Sequence, residues 1–181
     1  MPTYIALLRA VNVGGTGKLP MTELKAMCAG EGFTDIQTYI ASGNVVFFAK
    51  QPESKVKAAL EKRLQAYAGK PVVVAVRTAD EMSAVLKSNP FPKSPPNSTV
   101  AIFLNDAPPP DALDHVRGQQ DEVIRLGTRE IYVAYGAGMA RSKLKIPAAD
   151  AGTARNINTI KKLAELASNN ARFRSHLERT L

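Results

Sequence analysis

The 181-residue chain has little of the chemistry that builds metal or disulfide sites: one cysteine, Cys28, and two histidines, His115 and His176. A lone cysteine excludes an intramolecular disulfide framework. The histidines lie far apart with no cysteine near either, so no metal is expected. No segment approaches the roughly 18 apolar residues of a membrane span, so no membrane partner is expected. Nothing resembling a secretory leader follows Met1-Pro2-Thr3, where a short apolar stretch ends at Arg9. A reducing cytoplasm is therefore the expected compartment. No nucleophile, base and orienting acid form a set: Cys28 falls on an apolar helical face, and His115 sits in a short polar helical segment beside Asp111 and Asp114. No cofactor motif is present.

What the chain does have is an ordinary apolar content, 45%, and a basic balance of +8. The charge is uneven, because residues 141–181 hold nine Lys or Arg against three acids. Such a segment concentrates polyanions, nucleic acid first among them, or is simply a solvated face.

The residue pattern predicts β-α-β-β-α-β over residues 1–77. Tyr4–Arg9 is a short apolar run that suits a buried strand. Pro20 starts a helix carrying Met21, Leu24 and Cys28, which Gly32 ends. Two β-rich runs, 36–40 and 45–48, flank Ser42-Gly43-Asn44 as a hairpin. Pro52 opens a second helix with Val56, Leu60, Leu64 and Tyr67 on one face and Gly69 at its end. Val72–Val76 closes the unit. This order is that of the ferredoxin-like α+β fold. Thr78 and Glu81 form a capping box for a connecting helix, and a Pro-rich linker completes residues 78–98. Residues 99–168 predict a second ferredoxin-like half with antiparallel strands at 100–104, 123–126 and 131–135, a short helix at 111–116 and a last helix at 158–167. That half lacks a closing strand and is therefore incomplete. Residues 169–181 form a basic amphipathic tail, with Phe173, Leu177 and Leu181 on one stripe. It is expected to dock as a short helix on its own core or on a second subunit.

In this fold the end of the first strand and the turn between the second and third share one sheet edge. Arg9, Asn12, Gly14, Gly15 and Lys18 are therefore expected near Tyr39, Ser42, Gly43 and Asn44. Glycines that expose successive N–H groups beside a guanidinium and an ammonium suit phosphate or carboxylate. The same glycines also suit a plain tight turn, and Ser42-Gly43-Asn44 a plain hairpin. Asn12–Leu19 approaches a P-loop but departs from it where the chemistry resides. Asn12 replaces the first glycine, Leu19 replaces the Mg²⁺-binding hydroxyl, and Pro20 keeps Leu19 out of helical geometry. A second donor cluster, Arg155, Asn156 and Asn158, precedes the last helix. It either grips a phosphate at the helix N-terminus or supplies a cap through Asn158.

Tyr4–Gly15 (YIALLRAVNVGG), Pro20–Leu24 (PMTEL), Gly32–Ile36 (GFTDI) and Thr38–Phe47 (TYIASGNVVF) carry a resemblance to a known family. Asn89-Pro90-Phe91, Ser142-Lys143-Leu144 and Thr153–Thr159 add to it. The chain resembles the bacterial domain-of-unknown-function family 1697 over nearly its whole length. Ile157 stands where the family motif leads one to expect tryptophan, which removes an aromatic stacking role there. The resemblance implies two ferredoxin-like halves and no established activity.

Sheets of this topology that bind RNA display aromatics on the first and third strands. Tyr4 fits, but Asn44–Phe48 lacks the basic-Gly-aromatic pattern, and adjacent Phe47 and Phe48 point to opposite faces. Core packing is expected for both rings. Three functional readings stand. The first is a binding module for a phosphate-bearing ligand, nucleic acid or nucleotide. The second is a small-molecule enzyme where Arg9, Asn12, Tyr39, Ser42 and Asn44 converge. The third is an interaction protein forming a homodimer.

Overall fold

The computed structural model describes residues 2–13 and 17–180. Its first half runs β1 (Thr3–Leu8), α1 (Met21–Gly30), β2 (Thr34–Tyr39), β3 (Asn44–Phe48), α2 (Glu53–Ala68), β4 (Val74–Thr78) and α3 (Ala79–Lys87). β1 is buried throughout and pairs antiparallel on both sides, with β3 and with β4, giving the sheet order β2-β3-β1-β4. That is the ferredoxin-like order. Prolines start both helices: Pro20 is extended (φ −62°, ψ 142°) and its carbonyl accepts the N–H groups of Glu23 and Leu24. Pro52 does the same before α2. Gly69, left-handed at φ 70°, returns its N–H to the Gln65 carbonyl and ends α2.

Period-two alternation decides which side chains enter the core. Tyr4, Ala6, Leu8, Val45, Phe47, Val74 and Val76 pack against Leu24 and Cys28 of α1 and Val56, Leu60 and Leu64 of α2. Phe33 stacks on Phe47 with ring centroids 4.6 Å apart. Tyr67, expected on the same face of α2, is exposed instead. The opposite sheet face is also buried, through Ile5, Leu7, Val46 and Phe48. Both phenylalanines are therefore packed, and neither offers an open stacking platform.

One 24-residue helix, α4 (Ile157–Thr180), ends the chain, so the tail expected as a separate helix is its continuation. Phe173 and Leu177 remain exposed rather than docked: α4 buries Ile160, Leu163, Ala164 and Ala167 in its first half, and beyond them Asn170 and Arg174 make polar contacts. The Arg174 guanidinium lies 3.5 Å from the centroid of the Phe48 ring, and its Nη2 donates to Thr34 Oγ1 at 3.0 Å. Asn170 donates to the Asp35 carbonyl at 2.8 Å. Asp35 has φ 53° and lies where the β2–β3 register shifts between Thr34 and Gln37. This bulge turns backbone out toward the helix.

The chain divides into two compact units, Met1–Ser83 with Lys162–Leu181, and Ala84–Lys161. The second holds β5 (Thr99–Phe103), β6 (Val123–Leu126), β7 (Glu130–Ala134) and β8 (Thr153–Asn156), in the order β6-β7-β5-β8. A closing strand is thus present where none was expected. Its sequence, Thr-Ala-Arg-Asn, buries only alternate residues at a sheet edge, so it carries no apolar signal. What this half's crossovers lack is α-helices. Its two crossovers contain only short 3₁₀ turns, Ala112–His115 between β5 and β6, and Met139–Arg141 and Pro147–Ala149 between β7 and β8. Val116, Leu144 and Ile146 from these connections cover the sheet in their place. The connections are tied by paired backbone bonds between Arg117 and Lys145. They are also tied by the Glu122 carboxylate, which accepts the Ser142 hydroxyl and, at 2.6 Å, the Gln120 N–H. Those bonds hold the Glu122 carboxyl below the usual range.

A residue-level sign of duplication links the halves. Arg77 on β4 sits opposite Ile5, the third residue of β1, and Arg155 on β8 sits opposite Ala101, the third residue of β5. Both are buried, and each donates Nη1 to the carbonyl of its preceding residue at 2.9 Å.

Gly43 shows how tightly the first sheet is built. It has φ 87°, and a Cβ there would stand 2.5 Å from Val11 Cγ2 and 2.9 Å from Leu8 Cβ. Gly32 shares the left-handed backbone, φ 77°, with nothing within 4 Å. Gly32→Ala is therefore expected to cost about 1 kcal/mol of strain, and Gly43→Ala about 2–4 kcal/mol once overpacking is added. Urea denaturation of the two variants measures the difference.

Candidate anion-binding cleft beside the first loop

Antiparallel pairing of β1 with both neighbours gathers three connections at one sheet edge. The Leu8 N–H donates to the Gly43 carbonyl at 2.8 Å, and the Arg9 N–H to the Val73 carbonyl at 2.9 Å. The β1–α1 loop therefore lies between the β2–β3 turn and the connector that leads from α2 into β4. Asn12 braces it from within. Its Nδ2 donates to the carbonyls of Leu19 (2.8 Å) and Ala41 (2.7 Å), and its Oδ1 accepts the Leu19 N–H at 2.7 Å. Asn12 has φ 55°, a conformation asparagine tolerates better than most residues. Asn44, fully buried, does the same for the turn through Tyr39 O (2.8 Å) and Ser42 Oγ (3.0 Å).

On one side of this loop lies a cleft of about 450 Å³, within the range of small-molecule sites. Arg9, Lys18 and Lys70 line it, with Tyr67 on one wall and Val11, Leu19, Leu64 and Val72 among its apolar residues. Among the described residues no Asp or Glu lines it. The Tyr67 hydroxyl reaches the Lys18 carbonyl at 3.4 Å, linking α2 to the loop. A second, shallower hollow on the other side of the loop is lined by Asn12, Val13, Lys18, Met21 and Ala41.

The sequence-derived candidates thus separate. Arg9 and Lys18 line the cleft, and Asn12 and Gly43 hold its edge in shape. Gly14 and Gly15 lie outside the described residues. Tyr39, Ser42 and Asn44 line neither hollow. Of the constellation Arg9, Asn12, Tyr39, Ser42 and Asn44, Arg9 lines the cleft and Asn12 the second hollow, and the amide of Asn44 bonds the Tyr39 carbonyl and Ser42 Oγ. Tyr67, Lys70 and the 71–73 connector were missed. The available signal was topological: if β1 pairs antiparallel with β4, the residues before β4 must stand beside those after β1.

The second donor cluster is not an open site either. Arg155 is buried in β8, and desolvation lowers its guanidinium to about 10, leaving it cationic at neutral pH. Asn156, not Asn158, caps α4: its Oδ1 accepts the Thr159 N–H at 2.9 Å and occupies a donor a phosphate would use. Asn158 is exposed. Cys28 is buried in the core, and desolvation pushes its thiol up to about 12. His115 pairs with Asp111 at 3.4 Å on the surface. No helix among the described residues is long and apolar enough to cross a membrane.

Residues 1–132, which include the whole cleft, match the family model described as Protein of unknown function (DUF1697). The chain belongs to this family. The DUF1697 match ends within β7, and the rest of the fold has a solved counterpart. The conserved bacterial protein SP0830 from Streptococcus pneumoniae is 20% identical, with a TM-score of 0.75 over 92% of this chain and 98% of that chain. At that identity the likeness shows the fold alone. No curated protein matches this DUF1697 chain.

The brace at Asn12 is open to test. Asn12→Ala removes three hydrogen bonds and puts a less tolerant residue at positive φ, so it should lower stability by about 2–4 kcal/mol. Asn12→Gly keeps the backbone conformation and should cost less. In both variants the Leu19 amide should exchange faster with solvent.

Proposed function

We propose that this protein is a binding module for a small phosphate-bearing ligand, held in the cleft beside the β1–α1 loop. The observation that carries the reading is the lining itself: Arg9, Lys18 and Lys70 around one concave site with no carboxylate among the described residues. Three exposed cations lining one concave site favour a dianion. The described lining holds one phenol and no His, Cys or carboxylate to move a proton, which supports binding over acid–base chemistry. The cleft's size, about 450 Å³, supports a small ligand over a nucleic-acid strand, which needs an extended groove with stacking platforms. Both faces of β1 and β3 are buried, so the sheet offers no such platform.

The probe is inorganic pyrophosphate titrated into the full chain at low salt. Arg9→Gln, Lys18→Gln and Lys70→Gln are each expected to weaken binding about two- to fivefold, the scale of a partly exposed charge pair. Lys25→Gln, an exposed lysine of α1 outside the cleft lining, should leave it unchanged. Equal effects at all four positions would show a diffuse response to net charge and defeat the proposal.

A further inference from the structure

The polar inventory of the cleft restricts the body of the ligand as well as its head. Resting on the cleft reading above, we infer that the ligand is an amphiphilic phosphate whose body is an alkyl or similarly apolar group, not a nucleotide. Apart from the three cations, the only polar side-chain group in the described lining is the Tyr67 hydroxyl. Among the described residues no Ser, Thr, Asn, Gln, Asp or Glu side chain lines it. A nucleobase carries several donors and acceptors on its edge. Each one buried without a partner costs more than a met one gains. A site selective for a base needs polar groups to meet that edge. The described lining instead offers the exposed Ala10, Ala68 and Pro71 and the half-buried Val72, side chains that reward apolar surface.

Two features add to the chemistry. The cations come from two segments, Arg9 and Lys18 from the β1–α1 loop and Lys70 from the connector after α2. Tyr67 stands on α2 with much of its ring exposed, 47%, although it follows the buried Leu64 by one helical turn. An apolar body lying along α2 would cover that ring.

The experiment compares inorganic phosphate, butyl, hexyl and octyl phosphate, and AMP, all below micellar concentration, by amide shift titration of the full chain. Affinity should rise up to about fourfold per added methylene, the equivalent of ~0.8 kcal/mol for each CH₂ taken from water. AMP should bind more weakly than hexyl phosphate. Val72→Asn should reduce the chain-length gain by more than it changes the affinity for inorganic phosphate. Tyr67→Ser, at an exposed ring, makes the same test should the first variant fold poorly. A flat series, AMP binding as tightly as octyl phosphate, or a gain untouched by either variant would overturn the inference. If inorganic phosphate still bound in those cases, the anion site itself would stand. Absence of binding by every compound would remove both.

Discussion

The rest of the structure depends on β1 being paired antiparallel on both sides. Its central place in the order β2-β3-β1-β4 makes it the most constrained segment of the first half, and its six residues are all buried. One consequence is packing: a strand buried on both faces reads as an unbroken apolar run. The other is placement. Because β3 and β4 both run opposite to β1, the turn that enters β3 and the connector that enters β4 must both meet the loop that leaves β1. The bonds from Leu8 to Gly43 and from Arg9 to Val73 record that meeting. The cleft is the space left between the loop and the connector.

Backbone strain follows the same geography. Ala10, Asn12, Asp35 and Ile40 are the non-glycine residues at positive φ among the described residues. Three of them sit at the edge that carries the cleft, and the fourth forms the bulge that receives Asn170 of α4. Each costs on the order of 1–2 kcal/mol and persists where surrounding bonds over-determine it. At Asn12 those bonds are its own amide's. At Ile40 a β-branched residue is held in a conformation that suits it poorly, with its side chain exposed. The edge is therefore built to a fixed shape rather than left to relax, which is what a preorganised site requires.

Much of this architecture could be read from residues. Pro20 and Pro52 marked both helix starts, Gly69 marked the end of α2, and the Thr78–Glu81 capping box is present, with Thr78 N–H to Glu81 Oε2 at 2.8 Å and Glu81 N–H to Thr78 Oγ1 at 3.2 Å. These signals are local, and no tertiary contact overrode them here. The closing strand β8 was illegible because an edge strand of Thr-Ala-Arg-Asn needs no apolar pattern. The short helix expected at 111–116 is present as the 3₁₀ turn Ala112–His115, whereas the turns Met139–Arg141 and Pro147–Ala149 were illegible because their residues pack by loop tethering rather than by periodicity. At the site, Arg9 and Lys18 were legible as charges beside glycines. The roles of Asn12 and Asn44 were not, since an asparagine facing ligand and one facing backbone look alike in sequence. Tyr67 was placed in the core because helical spacing gives a face and not the depth at which that face stops being covered.

A crystal grown in phosphate tests the account most directly. The account predicts an ordered anion within hydrogen-bonding reach of Arg9, Lys18 and Lys70, with the Asn12 bonds to Leu19 and Ala41 intact. An anion ordered instead at Arg155 and the start of α4, or an edge in which Asn12 has left the backbone to bind the anion itself, would contradict it.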